Sequence, residues 1–95
     1  MIKHIVLFKL KDGSPESIDK TANILRNMQG KIPELLSLEV GIDVVRSERA
    51  YDIALITEVE SLETLHAYQI HPVHQQVILH MNEAKEHSIS VDYEI

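Results

Sequence analysis

Ninety-five residues with fifteen acidic side chains against nine basic ones carry a formal net charge of −6. That charge repels a phosphate backbone and, with no basic face interleaved with aromatics, excludes nucleic acid as a partner. The length fits one domain over residues 1–95, and such a domain buries only about 60–68% of its unfolded surface, so its core needs a supplement. With no cysteine, disulfides and thiolate metal sites are out of reach, which leaves self-association and fits a cytoplasmic setting.

Met1 leads into the apolar run Ile5-Val6-Leu7-Phe8 without a charged n-region and cleavage site, so no signal peptide is expected. No apolar stretch reaches the roughly 20 residues that span a bilayer, so no membrane partner is expected. Residues 3–10 are β-branched and aromatic and stop at Asp12-Gly13, which predicts a first strand. Ser14-Pro15-Glu16 starts a helix. Ser14 accepts from free N–H groups, Pro15 suits the first helical position, and Glu16 meets the positive end of the dipole. Ile18, Ala22, Leu25 and Met28 recur at helical spacing, with Gly30 as C-cap and Pro33 as a stop.

Strands are predicted at 37–45 and 50–59, joined by Arg46-Ser47-Glu48-Arg49. Val40, Ile42 and Val44 share one face of the first; Tyr51, Ile53, Leu55 and Val59 share one face of the second. Gly41 reads as a strand bulge. Ser61 caps a helix from Leu62 to about Ile70, and Pro72 forces a kink at His71 and a restart towards Lys85. The last strand sets Ile89, Val91, Tyr93 and Ile95 on one face and Ser90, Asp92 and Glu94 on the other.

The order βαββαβ is an α+β ferredoxin-like plait, an antiparallel four-stranded sheet with its helices on one side. His4, Val6, Phe8 and Leu10 point one way, but Ile5 and Leu7 point the other, as do Ala54 and Ile56 on their strand. A sheet covered on one side only should be polar on its open face. A symmetric partner presenting the same face is the simplest cover, so a homodimer through the sheet face is expected.

Lys3-His4-Ile5-Val6-Leu7-Phe8-Lys9-Leu10-Lys11, the Ser-Pro-Glu helix start, Ala67-Tyr68-Gln69-Ile70-His71-Pro72-Val73-His74 and Val91-Asp92-Tyr93 together resemble the dimeric α/β-barrel stress-response (Dabb) family. The resemblance implies a homodimer whose two sheets close into a β-barrel with helices outside. Some members hold a cation on main-chain oxygens after the first helix, which here falls near residues 32–36. One member, olivetolic acid cyclase, is similar in the placement of its catalytic tyrosine and histidine to Tyr68 and His74, and of a pocket histidine to His4. By that likeness His74 removes a proton from an activated carbon and Tyr68 hydrogen-bonds the developing oxyanion. The likeness stops at Gln75-Gln76-Val77-Ile78, where the cyclase has small and aromatic residues around an alkyl tunnel.

On a helix, His74 lies about 20° from Met81 and about 40° from Ile78, at the edge of the stripe Val73, Val77, Met81 and Ala84. It either lines a pocket or is a core histidine bonded to a backbone carbonyl. His4 shares a face with Val6 and Phe8, so His4 and His74 approach one another if that face meets the helices. The candidate catalytic pair is therefore Tyr68 and His74, and the candidate binding set is His4, Phe8, His71, Ile78 and Met81. His71 reads first as hinge and cap. Its i, i+3 spacing to His74 is a metal-ligand spacing, but the kink disturbs that face and no acid completes the set, so neither metal nor cofactor is expected.

His66, His80 and His87 are expected on solvated or flanking faces. Asp92 and Glu94 are expected exposed, or as interface partners for Lys3 or Lys9. Tyr51 and Tyr93 are expected in the core or lining the barrel. No phosphate loop or nucleophile motif occurs. Three functions fit: a binder of a small hydrophobic molecule between sheet and helices, a cofactor-independent cyclase or lyase, and a monooxygenase-like dimeric barrel protein acting on quinones or binding haem.

Overall fold

A computed structural model describes residues 1–95. Its elements are β1 (Ile2–Leu10), α1 (Pro15–Arg26), β2 (Ser37–Ile42), β3 (Ile53–Val59), α2 (Leu62–Gln69), α3 (Pro72–Ala84) and β4 (Lys85–Glu94). The strands form one antiparallel sheet in the order β2-β3-β1-β4. This is the ferredoxin-like plait, with its second helix divided in two at His71-Pro72.

Local chemistry sets the helix ends. Ser14 and Ser61 each accept from the backbone N–H three residues on, at 3.2 Å in both cases, which satisfies one of the free donors of a first turn. The stripe Ile18, Ala22, Leu25 and Met28 is buried, as its spacing demands. The helix ends earlier than expected, however. Asn27 is the C-cap, and Gly30 lies beyond it in a further turn at φ +81°, a left-handed conformation that glycine adopts without steric cost.

One face of the sheet meets the helices. Ile2, His4, Phe8 and Leu10 of β1 and Ile53, Leu55, Thr57 and Val59 of β3 are buried there, against Leu25, Leu65, Val77 and Met81. The helices pack over β2 and β3, and the inner face of β1 is buried with them. β4, at the sheet edge, keeps Ser90, Asp92 and Glu94 of its inner face exposed.

The other face is apolar and open. Cross-strand rows Ile56–Ile5–Val91 and Gly41–Ala54–Leu7–Ile89 run across it, and Val91 is 53% exposed. The two-sided pattern expected of β1 and β3 is therefore present.

Three expectations need correction around the β2–β3 hairpin. β2 ends at Ile42 and not at residue 45, and β3 begins at Ile53, so Val44 (87% exposed) and Tyr51 lie outside the strands. The cause is a local turn. The Asp43 carboxylate accepts the Arg46 backbone N–H at 2.7 Å while Arg46 takes φ 59°, and side-chain bonds of this kind compete with a strand ladder. Gly41 is not a bulge; it pairs in register with Ala54. The irregularity in the sheet lies between Lys9 and Leu10, opposite residues 85–87 of β4.

Candidate functional site

Because no helix covers the inner face of β4, a trough of about 240 Å³ runs between α3 and that strand. Val6, Phe8 and Leu55 form its floor. Val77, Ile78 and Met81 of α3 form one wall, with Ser88, Ile89 and Ser90 of β4 opposite. Eight of its fourteen lining residues are hydrophobic, the composition of a site for a largely apolar molecule.

His4 and His74 both line the trough, and each is held by its own acceptor. Asp92 lies directly across from His4 in the β1–β4 register, and its carboxylate bonds His4 Nδ1. His74 Nδ1 lies 3.0 Å from the Gln69 carbonyl oxygen. A carbonyl or an ionised carboxylate only accepts, so each imidazole donates a proton from Nδ1, and His74 in its neutral form keeps the lone pair on Nε2.

The pKa of His74 is lowered. Burial is the main cause, and the charges of His4 and His71 add to it, while the bond to Gln69 opposes them. His74 is therefore neutral at pH 7 and retains a basic nitrogen.

Tyr68 stands between the two histidines. Its ring centroid lies 4.4 Å from that of His74 and 6.3 Å, edge-on, from that of His4. The side chain is fully buried behind the trough rather than on its wall, and its hydroxyl has no protein partner. Burial pushes its pKa well above the ordinary phenol value, so Tyr68 stays protonated.

The placement of the other candidates follows. Phe8, Ile78 and Met81 lie on the trough with His4 and His74. His71 does not line it. Its Nδ1 accepts the Val73 N–H at 3.1 Å as the N-cap of α3, the role of hinge and cap.

Of the flanking histidines, His66 and His87 are exposed, but His80 has a buried, unpartnered Nε2. No group of three or more His, Cys, Asp or Glu side chains is placed to hold a metal ion. Asp92 is exposed as expected, but sequence reasoning, which offered it Lys3 or Lys9 as a partner, missed its bond to His4. The available signal was register, since pairing β4 with β1 sets residue 92 opposite residue 4. It also missed Asn82 and Lys85 on the trough wall.

A second polar cluster lies outside the trough. Asp52 is 1% exposed and accepts from Leu10 N–H and Arg46 Nη2, both at 2.7 Å. Burial works to raise its pKa, but these two bonds and the charges of Lys9 and Arg46 outweigh it and hold Asp52 below the ordinary carboxylate value.

A protein-family model described as the stress responsive A/B barrel domain matches residues 2–95. The chain belongs to that family. An uncharacterized protein of Streptomyces coelicolor is 33% identical over 78 residues, covering 79% of this chain and 80% of its own. Among solved structures, the domain is similar to a dimeric ferredoxin-like protein of unknown function from Bacteroides fragilis. That match has 31% identity, a TM-score of 0.84, and coverage of 99% of this chain and 95% of the other. At 21% identity, a hydroxynitrile lyase from Passiflora edulis shares the fold alone, with a TM-score of 0.83 and coverage of 99% and 92%. No helix of this A/B barrel domain is long and apolar enough to cross a membrane.

Proposed function

We propose that this A/B barrel domain binds a small, largely apolar molecule in the trough between α3 and β4, as a homodimer joined through the open sheet face. The carrying observation is the trough itself, with Phe8, Ile78 and Met81 along its length and His4 and His74 on its wall. Its volume of about 240 Å³ falls below the roughly 300–1,000 Å³ typical of sites for drug-sized ligands, so the occupant is small. The dimer reading is supported by the apolar rows on the open face and by the dimeric description of the Bacteroides fragilis structure.

Methyl-resolved NMR during titration with small ketones, phenols and aliphatic acids tests the binding reading. Shifts gathered at Val6, Ile78 and Met81, and lost in Ile78→Trp, are the expected result. Saturating shifts centred elsewhere, or none at millimolar ligand, would remove the reading.

A second reading, proton transfer, is favoured by one observation: His74 is fixed as its Nδ1–H form by the Gln69 carbonyl, leaving Nε2 as the basic atom. In this reading His74 removes a proton next to a carbonyl of the bound molecule, as in the first step of a cyclase or lyase. Tyr68, kept protonated by burial, supports His74 through ring contact, and reaches an oxyanion only if the ligand penetrates past the trough wall. The check is deuterium incorporation at the α-carbon of a bound ketone. It should depend on His74 and disappear in His74→Ala, and equal exchange in that variant would refute the role.

A further inference from the structure

The two ends of the trough differ chemically. His4 pairs with Asp92 towards one end of the β1–β4 ladder and Leu10 pairs with Lys85 at the other. At about 3.3 Å per residue, six residues of β1 separate these ends by roughly 20 Å of strand. On α3 the same polarity holds, from His74 in the first turn to Lys85 at the C-cap.

Lys85 is the one Lys, Arg, Asp or Glu side chain on the trough wall. Its ammonium bonds the Ser88 hydroxyl at 3.2 Å and makes no ion pair, although Glu83 and Glu86 flank it in sequence and the chain is acidic overall. Lys85 is half-buried beside an apolar floor, and no carboxylate of the protein lies within ion-pair distance of its ammonium. An apolar ligand alone leaves that charge uncompensated. A ligand bearing a carboxylate compensates it.

We propose that the trough selects a small amphipathic carboxylic acid. The carboxylate sits against Lys85, with the Asn82 amide and Ser88 hydroxyl as neighbouring hydrogen-bonding groups. The apolar body lies along Phe8 and Met81, and the far end reaches towards the two histidines. This inference rests on the binding reading above and adds its ligand class and polarity.

The test compares octanoate, 1-octanol and octylammonium, which share one chain and differ in head group, by calorimetry on the full chain at pH 7.5 and fixed salt. Octanoate should bind about tenfold or more tightly than octanol, as expected for a charge-assisted hydrogen bond in place of a neutral one. Octylammonium should bind more weakly than either. The preference should fall to about onefold in Lys85→Met and survive in Lys85→Arg.

Equal binding of octanoate and octanol to the wild-type chain overturns the carboxylate assignment and leaves the binding reading intact; that ratio needs no variant to fold. A preference retained in Lys85→Met overturns it too. If none of the three binds, the binding reading itself falls, and this inference falls with it.

Discussion

At the scale of single residues, the strongest constraints are polar groups that the fold has buried. Asp52 accepts two bonds at 2.7 Å in a fully enclosed setting. Removing the carboxylate strands the buried Leu10 N–H, and a stranded buried donor costs about 1–3 kcal/mol. We expect Asp52→Ala to lose about 2 kcal/mol, or roughly 8–16 °C in Tm for a domain of this size. Because the folded pKa of Asp52 is depressed, its contribution is present above the unfolded value of about 3.9 and is lost as pH falls through the folded value. The gap in melting temperature between wild type and variant should therefore be narrower at pH 3 than at pH 7; a gap independent of pH would contradict this account.

His74 is also lowered, and for a histidine that means the unfolded chain binds the proton more readily. Its contribution is complete above about pH 6.5 and declines as pH falls below that value. NMR titration of its imidazole should give a midpoint below about 6.5, and a midpoint above it would show that burial does not dominate.

At the scale of elements, the break between α2 and α3 shapes the candidate site. Pro72 lacks the N–H that a continuous helix requires, so the chain restarts, and the last carbonyls of α2 are left without helical partners. The Gln69 carbonyl finds replacements on the new helix, His74 Nδ1 at 3.0 Å and Gln75 Nε2 at 2.8 Å. The proline thus fixes the tautomer of a histidine two residues later. His71 holds the restart by capping the Val73 N–H. Substituting His71→Ala should cost about 1 kcal/mol, the usual worth of an N-cap, and lower Tm by about 4–8 °C. It should also move the His74 ring resonances, because His74 sits in the turn that the cap secures. Unmoved resonances would separate the cap from the site.

At the scale of the whole molecule, the open sheet face is the main unfinished surface. Ile89 and Val91 stand out from the edge strand, while Leu7, Gly41 and Ala54 line a hollow beside them. Ridge and hollow on one face suit a two-fold partner, because each copy offers what the other needs. Light scattering should return twice the 10.8 kDa mass of one chain. Val91→Lys should reduce it to one chain while leaving the circular dichroism spectrum unchanged, since residue 91 faces away from the helices. Gly41→Leu offers a finer check. A Cβ there meets nothing within 4 Å in one protomer, so a leucine should reach into the hollow and weaken the dimer without unfolding the chain. A dimer unaffected by both substitutions would place the interface elsewhere.

Much of this was legible in the sequence because it depends on near neighbours. The strand and helix periods, the Ser14 and Ser61 caps, the break at Pro72 and the apolar second face of β1 are all set by residues a few positions apart, whose backbone and solvation preferences act locally. The hairpin at 43–52 was misread because its conformation depends on Asp43 and Asp52, two carboxylates whose partners are fixed only once the loop has folded. The trough lay further out of reach. It exists because the helices stop short of β4, and its polar groups come from residues as distant as His4 and Ser90, which come together only through strand register. Local periodicity determined which elements form and which faces are apolar. Tertiary packing alone decided where a space was left unfilled and which charges surround it, because a cavity is a property of how elements fit together and has no local signature in the chain.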